Sequence, residues 1–169
     1  MKFKTFLAAA AVTTAIAGTA QAASIAEIAS GDERFSTLVA AVSAAGLVET
    51  LAGPGNFTVY APVNEAFAAL PEGTVETLLQ PENKGQLTDV LLYHVDDRTL
   101  KSTDFAPGAN YYKPILETAR LCISAHSGVT IADGTGEVAN VVIADIIADN
   151  GVIHVIDKVL LPGDRPACH

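Results

Sequence analysis

The stretch 152–161 holds Val152, Ile153, Val155, Ile156, Val159, Leu160 and Leu161, and only His154, Asp157 and Lys158 interrupt it. A strand so nearly continuous in apolar residues is covered on both faces, so the fold must place material on two sides of a sheet. His154, the lone polar residue of the first half, is expected to be buried, hydrogen-bonded and neutral, in a structural role. Asn150-Gly151, just before the stretch, is the preferred chemistry of a tight hairpin in which both turn residues accept positive φ.

Further strands are expected over 121–124, 129–132 and 138–148, separated by Ser127-Gly128 and Asp133-Gly134. The first half has a different period. Ser24-Ile25-Ala26-Glu27 carries the Ser-x-x-Glu spacing of a capping box. Phe35, Leu38, Val39 and Val42 form one apolar helical stripe, with Gly46 placed to end it in a left-handed cap. One early strand, Phe57-Thr58-Val59-Tyr60, follows the turn residues Gly53-Pro54-Gly55-Asn56. Asn64 is expected to cap a short helix from Glu65 to Leu70, and Pro62 to end the strand before it. Val75, Leu78 and Leu79 mark another helical turn, and Leu87, Val90, Leu91 and Tyr93 support a helix ending near His94. Helices first and strands later indicate an α+β domain.

The chain opens with Lys2 and Lys4, continues apolar from Phe6 to Ala17, and reaches Ala20-Gln21-Ala22. That order is a secretory signal, with cleavage expected after Ala22, and the apolar run of about a dozen residues is too short to span a bilayer. The 147 residues that follow, 23–169, suit one domain, with a core over about 24–162 and a short tail over 163–169. Losing Lys2 and Lys4 takes the net charge from −9 to −11. So acidic a surface argues against a nucleic-acid partner and against anionic lipid. No stable membrane insertion is expected, and the product is expected in the periplasm, at the cell surface or outside the cell.

The segment 57–67, FTVYAPVNEAF, closely resembles the first signature box of fasciclin domains, and 150–162, NGVIHVIDKVLLP, resembles the second. Leu91-Leu92-Tyr93-His94-Val95 is similar to the family's Tyr-His element, and Ala144-Asp145-Ile146 to its Asp-Ile element. The resemblance implies a wedge-shaped α+β fold, with several short N-terminal helices packed on a mostly antiparallel sheet. It also implies a non-catalytic role in adhesion, with a cell-surface or matrix protein or glycan as partner. Tyr93, His94, Asp145 and Ile146 are the positions where animal relatives have been linked to receptor binding. Core packing and the capping of helix carbonyls explain Tyr93 and His94 without any partner, and the structural role is the leading expectation for them. Residues 107–126 match no family pattern.

Cys122 and Cys168 are the only cysteines. An even count in an exported chain points to a disulfide; the competing arrangement is a soft-metal site that joins Cys122 and His126 to Cys168-His169. No nucleophile elbow, H-E-x-x-H, phosphate loop or dinucleotide fingerprint occurs, and Asp96-Asp97 is expected as a solvated turn rather than a carboxylate pair. No cofactor is expected. Asn56-Phe57-Thr58 is a formal glycosylation sequon, relevant only to a eukaryotic secretory route. The leading expectation is an exported binding module with weak self-association. The alternatives are a periplasmic hydrolase or metal-dependent enzyme without a known motif, and a small-ligand binder with a pocket between sheet and helices.

Overall fold

A computed structural model describes residues 23–169; the export signal expected over 1–22, with its Ala22 cleavage site, lies outside them. Among the described residues six α-helices, Ile25–Ser30 (α1), Ser36–Ala45 (α2), Val48–Ala52 (α3), Asn64–Ala68 (α4), Thr74–Leu79 (α5) and Lys84–Tyr93 (α6), occupy the first half. Seven strands, Phe57–Pro62 (β1), Val95–Asp96 (β2), Gly108–Tyr112 (β3), Leu121–Ala125 (β4), Val129–Ala132 (β5), Val138–Ala148 (β6) and Gly151–Ile156 (β7), form one curled sheet. Their order is β2-β1-β7-β6-β5-β4-β3. Only β1 and β7 pair in parallel; the other neighbours are antiparallel.

Every residue of β7 is buried, as its apolar sequence requires. Ile153 and Val155 join Phe35, Leu38, Val42 and Leu91 in a core beneath the helices. Ile156 belongs to a second core with Tyr60, Tyr93, Phe105, Leu121 and Leu160, which the curled β3–β5 region and the loop after β2 enclose. His154 lies near this second core, its ring centroid 6.0 Å from Tyr60 and 5.6 Å from Phe105. Burial of two separate apolar faces accounts for the strand's composition.

The helix ends follow local chemistry. Ser24 and Glu27 cap α1 reciprocally, and Gly46, at φ 74°, closes α2 by donating to Ser43 and Val42 carbonyls. Several expectations need correction. The final strand stops at Ile156, and Val159 and Leu160 are buried in irregular chain that crosses the cores. Asn150 is not at positive φ. Its side chain accepts from Ile25 N and donates to the carbonyls of Leu51 and Gly53, which ties α1 and the end of α3 to the sheet. Gly151 is required by close approach instead: a Cβ there would sit 1.9 Å from the Phe57 carbonyl oxygen.

Asn64 is half-buried and does not cap the helix that it opens; Val63 occupies that position. Its Oδ1 accepts from Thr37 N at 3.1 Å, so it satisfies a free amide in the first turn of α2 from across the chain. Its Nδ2 donates to the Glu33 carbonyl at 2.8 Å. Asp96 is buried in β2, with its carboxylate bound to the Arg98 guanidinium at 2.7 and 2.8 Å, while Asp97 is exposed. A solvated turn therefore describes Asp97 alone.

Candidate functional site

The four candidate positions fall in two places. Tyr93 and His94, at the end of α6, are 0% and 2% exposed. The Tyr93 hydroxyl donates to the Arg120 carbonyl at 2.8 Å. Burial pushes its ionisation up, so it stays a neutral donor. His94 Nδ1 donates to the Val90 carbonyl at 2.7 Å, and its Nε2 accepts from Leu160 N at 2.9 Å. Those partners fix the neutral Nδ1–H tautomer. Burial lowers the His94 pKa to about 4, against the opposing pull of the Val90 carbonyl and of Asp133. Both side chains are buried, and the geometry ties α6 to the segment after β7 and to the Arg120 carbonyl.

Asp145 and Ile146 lie on β6, where the register with β7 shifts between Val141 and Ile143 and again between Ile143 and Ile146. Asp145 is the one non-glycine residue at positive φ, 59°, among the described residues. Its amide donates to His154 Nδ1 at 3.3 Å, and His154 Nε2 donates to the Leu100 carbonyl at 2.6 Å. The Asp145 carboxylate accepts from Ser102 N at 2.7 Å and from the Ser102 hydroxyl. Burial raises its pKa, but the Ser102 bonds outweigh it and the net direction is down. His154 is shifted down by burial and stays neutral, opposite in tautomer to His94. The loop 98–104 is held further by Thr58, whose hydroxyl donates to the Arg98 carbonyl and accepts from Leu100 N.

The bulged strand has a consequence for the surface. Extra residues in β6 turn Val142, Ile143 and Ile147 outward, at 56%, 39% and 58% exposure. Ile146, between them, is half-buried against the core beneath the helices. The exposed trio was not among the candidate residues expected from sequence. Its signal is the run Val141-Val142-Ile143, which breaks the alternation of a half-buried strand and marks a bulge.

Cys122 and Cys168 are bonded, with Cα atoms 5.4 Å apart. The bridge carries the C-terminal tail to β4, and Tyr111 on β3 holds the same tail: its hydroxyl donates to the Pro166 carbonyl, and Arg165 lies 3.9 Å over its ring. Cys122 is therefore not a metal ligand here. No group of three or more His, Cys, Asp or Glu suited to a metal occurs among the described residues. Asp133, buried at the turn after β5, accepts from Thr135, Glu137 and Leu161 and closes the chain end onto the sheet.

A cavity of about 260 Å³ opens between α1, α2 and α3 above β1, β7 and the end of α6. Ile25, Leu38, Val42, Leu51, Val59 and Ile153 form its buried wall.

A protein-family model for the fasciclin domain matches residues 33–162. Protein sll1483 of Synechocystis sp. is 50% identical over 148 residues, covering 86% of this chain and 77% of that protein. The transforming growth factor-beta-induced protein ig-h3 of Sus scrofa is 43% identical over 136 residues, 80% of this chain and 19% of that protein. Among solved structures, a FAS1 domain pair from the insect cell adhesion molecule fasciclin I matches with a TM-score of 0.59 at 20% identity, over 76% of this chain and 45% of that one. This last likeness is one of fold. The chain belongs to the fasciclin domain family. Among the described residues no helix is long and apolar enough to cross a membrane.

Proposed function

We propose that the protein is an exported, non-catalytic adhesion module that docks a cell-surface or matrix protein on the exposed face of β6. The observation that carries this reading is the apolar group Val142, Ile143 and Ile147, set outward by bulges beside Asp145. Exposed apolar side chains gathered on one strand mark interaction surfaces more often than singly scattered ones do. The frame is rigid because Asp145, Ser102, His154 and Leu100 form one hydrogen-bonded chain. Asp145 and Ile146 serve this surface by shaping it. Tyr93 and His94 support the fold behind it.

Three side chains make a small contact, so a single domain binds weakly and gains strength when many are arrayed. Linked sites exceed single-site affinity by roughly 10²–10⁴. Soluble monomer is expected to bind its host envelope poorly, and the same protein on beads to bind well. Equal binding by monomer and array contradicts the avidity part of the proposal. Turnover of an envelope substrate, lost on a single side-chain change without unfolding, contradicts the non-catalytic part.

A further inference from the structure

The cavity between the first three helices and the sheet shares no residue with the β6 surface and plays no part in the adhesion reading. Its wall is aliphatic. Among the described residues that line it there is no Phe, Tyr, Lys or Arg, and the one ring, His94, has both nitrogens engaged by backbone. Water would find few partners inside, and apolar cavities of this kind stay dry and take apolar guests. A void of roughly 150 Å³ accommodates benzene, so about 260 Å³ accommodates on the order of ten carbons.

The rim has a different chemistry. Ser30, Ser43 and Thr50 are exposed hydroxyl side chains at the mouth, and Glu27 is the one charged lining residue. Glu27 is held by the backbone and side chain of Ser24 at 2.7 and 3.0 Å, which keeps its carboxylate ionised. Among the lining residues an anionic head meets the Glu27 carboxylate and no Lys or Arg, whereas an uncharged hydroxyl head finds partners in Ser30, Ser43 and Thr50. We infer that the cavity is a binding site for a single unbranched alkyl chain carrying an uncharged, hydroxyl-bearing head. The chain lies against Val42, Leu51, Val59 and Ile153, and the head sits among the rim hydroxyls.

The test is calorimetric titration of the purified protein with 1-decanol and, at pH 8, with decanoate. Saturable one-to-one binding of decanol is expected, with decanoate weaker by at least about tenfold. Val39→Phe, which adds a ring from the half-buried face of α2, should weaken decanol by at least about tenfold while the melting temperature holds or rises. Ile147→Ser, remote from the cavity, should leave decanol binding unchanged. Thr50→Lys, an exposed rim change that does not disturb the core, should bring decanoate up to the affinity of decanol. No saturable decanol binding to the wild-type protein overturns the proposal. So does undiminished binding to a folded Val39→Phe protein, or a dimer that Val39→Phe dissociates without any decanol binding. Decanoate bound as tightly as decanol by the wild-type protein overturns the assignment of an uncharged head.

Discussion

His94 joins two chain segments with both ring nitrogens and has room for no second proton. Protonation would place an Nε2–H against the Leu160 N–H. The folded pKa of about 4 lies below the ordinary 6.5, so the unfolded chain takes up the proton first. Its stability contribution is complete above about pH 6.5 and is lost as pH falls toward 4, by about 3 kcal/mol in all. His154, shifted in the same direction, adds to that loss. Asp145, with its pKa below 3.8, adds its own loss only in more acidic solution. Urea melts between pH 7 and 4 should therefore show stability falling as pH falls. His94→Ala should lower stability at pH 7 by roughly 2–4 kcal/mol, through lost hydrogen bonds and a cavity, and should flatten that pH dependence. A His94→Ala protein with an unchanged pH slope contradicts this role. Tyr60 gives the opposite case: its hydroxyl is buried without a hydrogen-bond partner among the described residues. Tyr60→Phe should leave stability unchanged or raise it by up to about 1 kcal/mol, as a thermal melt would show. A clear loss would reveal a partner for that hydroxyl.

At the scale of elements, the disulfide and Tyr111 bind the C-terminal tail to β3 and β4, the last pair of the sheet. A bridge closing 46 residues stabilises by about 4 kcal/mol in the chain-entropy account, less any native strain. Cys122→Ser with Cys168→Ser should lower the urea midpoint accordingly, and a midpoint unchanged would show that the tail is held without it. Much of this architecture was legible. The apolar run 152–156 announced a doubly covered strand, and the stripe from Phe35 to Val42 with Gly46 announced α2 and its cap. What escaped was set by contacts distant in sequence. Asn150 has the chemistry of a turn, yet its side chain is used to bind α1 and α3, 125 and 97 to 99 residues away. Asn64 has the chemistry of a local cap, yet it serves α2. β3 was illegible because an edge strand of Gly, Ala, Asn and Tyr has neither alternation nor a hydrophobic run. The candidate positions were visible as motifs, but burial separated Tyr93 and His94 from the surface, and burial follows from the tertiary packing of α6.

On the scale of the whole molecule, the cores lie on both sides of β7 and the helices cover one of them, while Val142, Ile143 and Ile147 of β6 stay exposed. The net charge of −9 over the whole sequence makes that surface part of an acidic body, so a basic partner would bind in a salt-dependent way and a neutral one would not. The proposed adhesion runs through β6, while Tyr93 and His94 act from behind it. Its most direct test is capture of host envelope by bead-arrayed protein, comparing wild type with Val142→Asp plus Ile147→Asp and with His94→Ala, each assayed well below its melting temperature. The double variant should melt as the wild type does and lose capture by at least about tenfold, while His94→Ala, though less stable, should retain it. Full capture by the double variant, or capture abolished in a folded His94→Ala protein, would contradict the account.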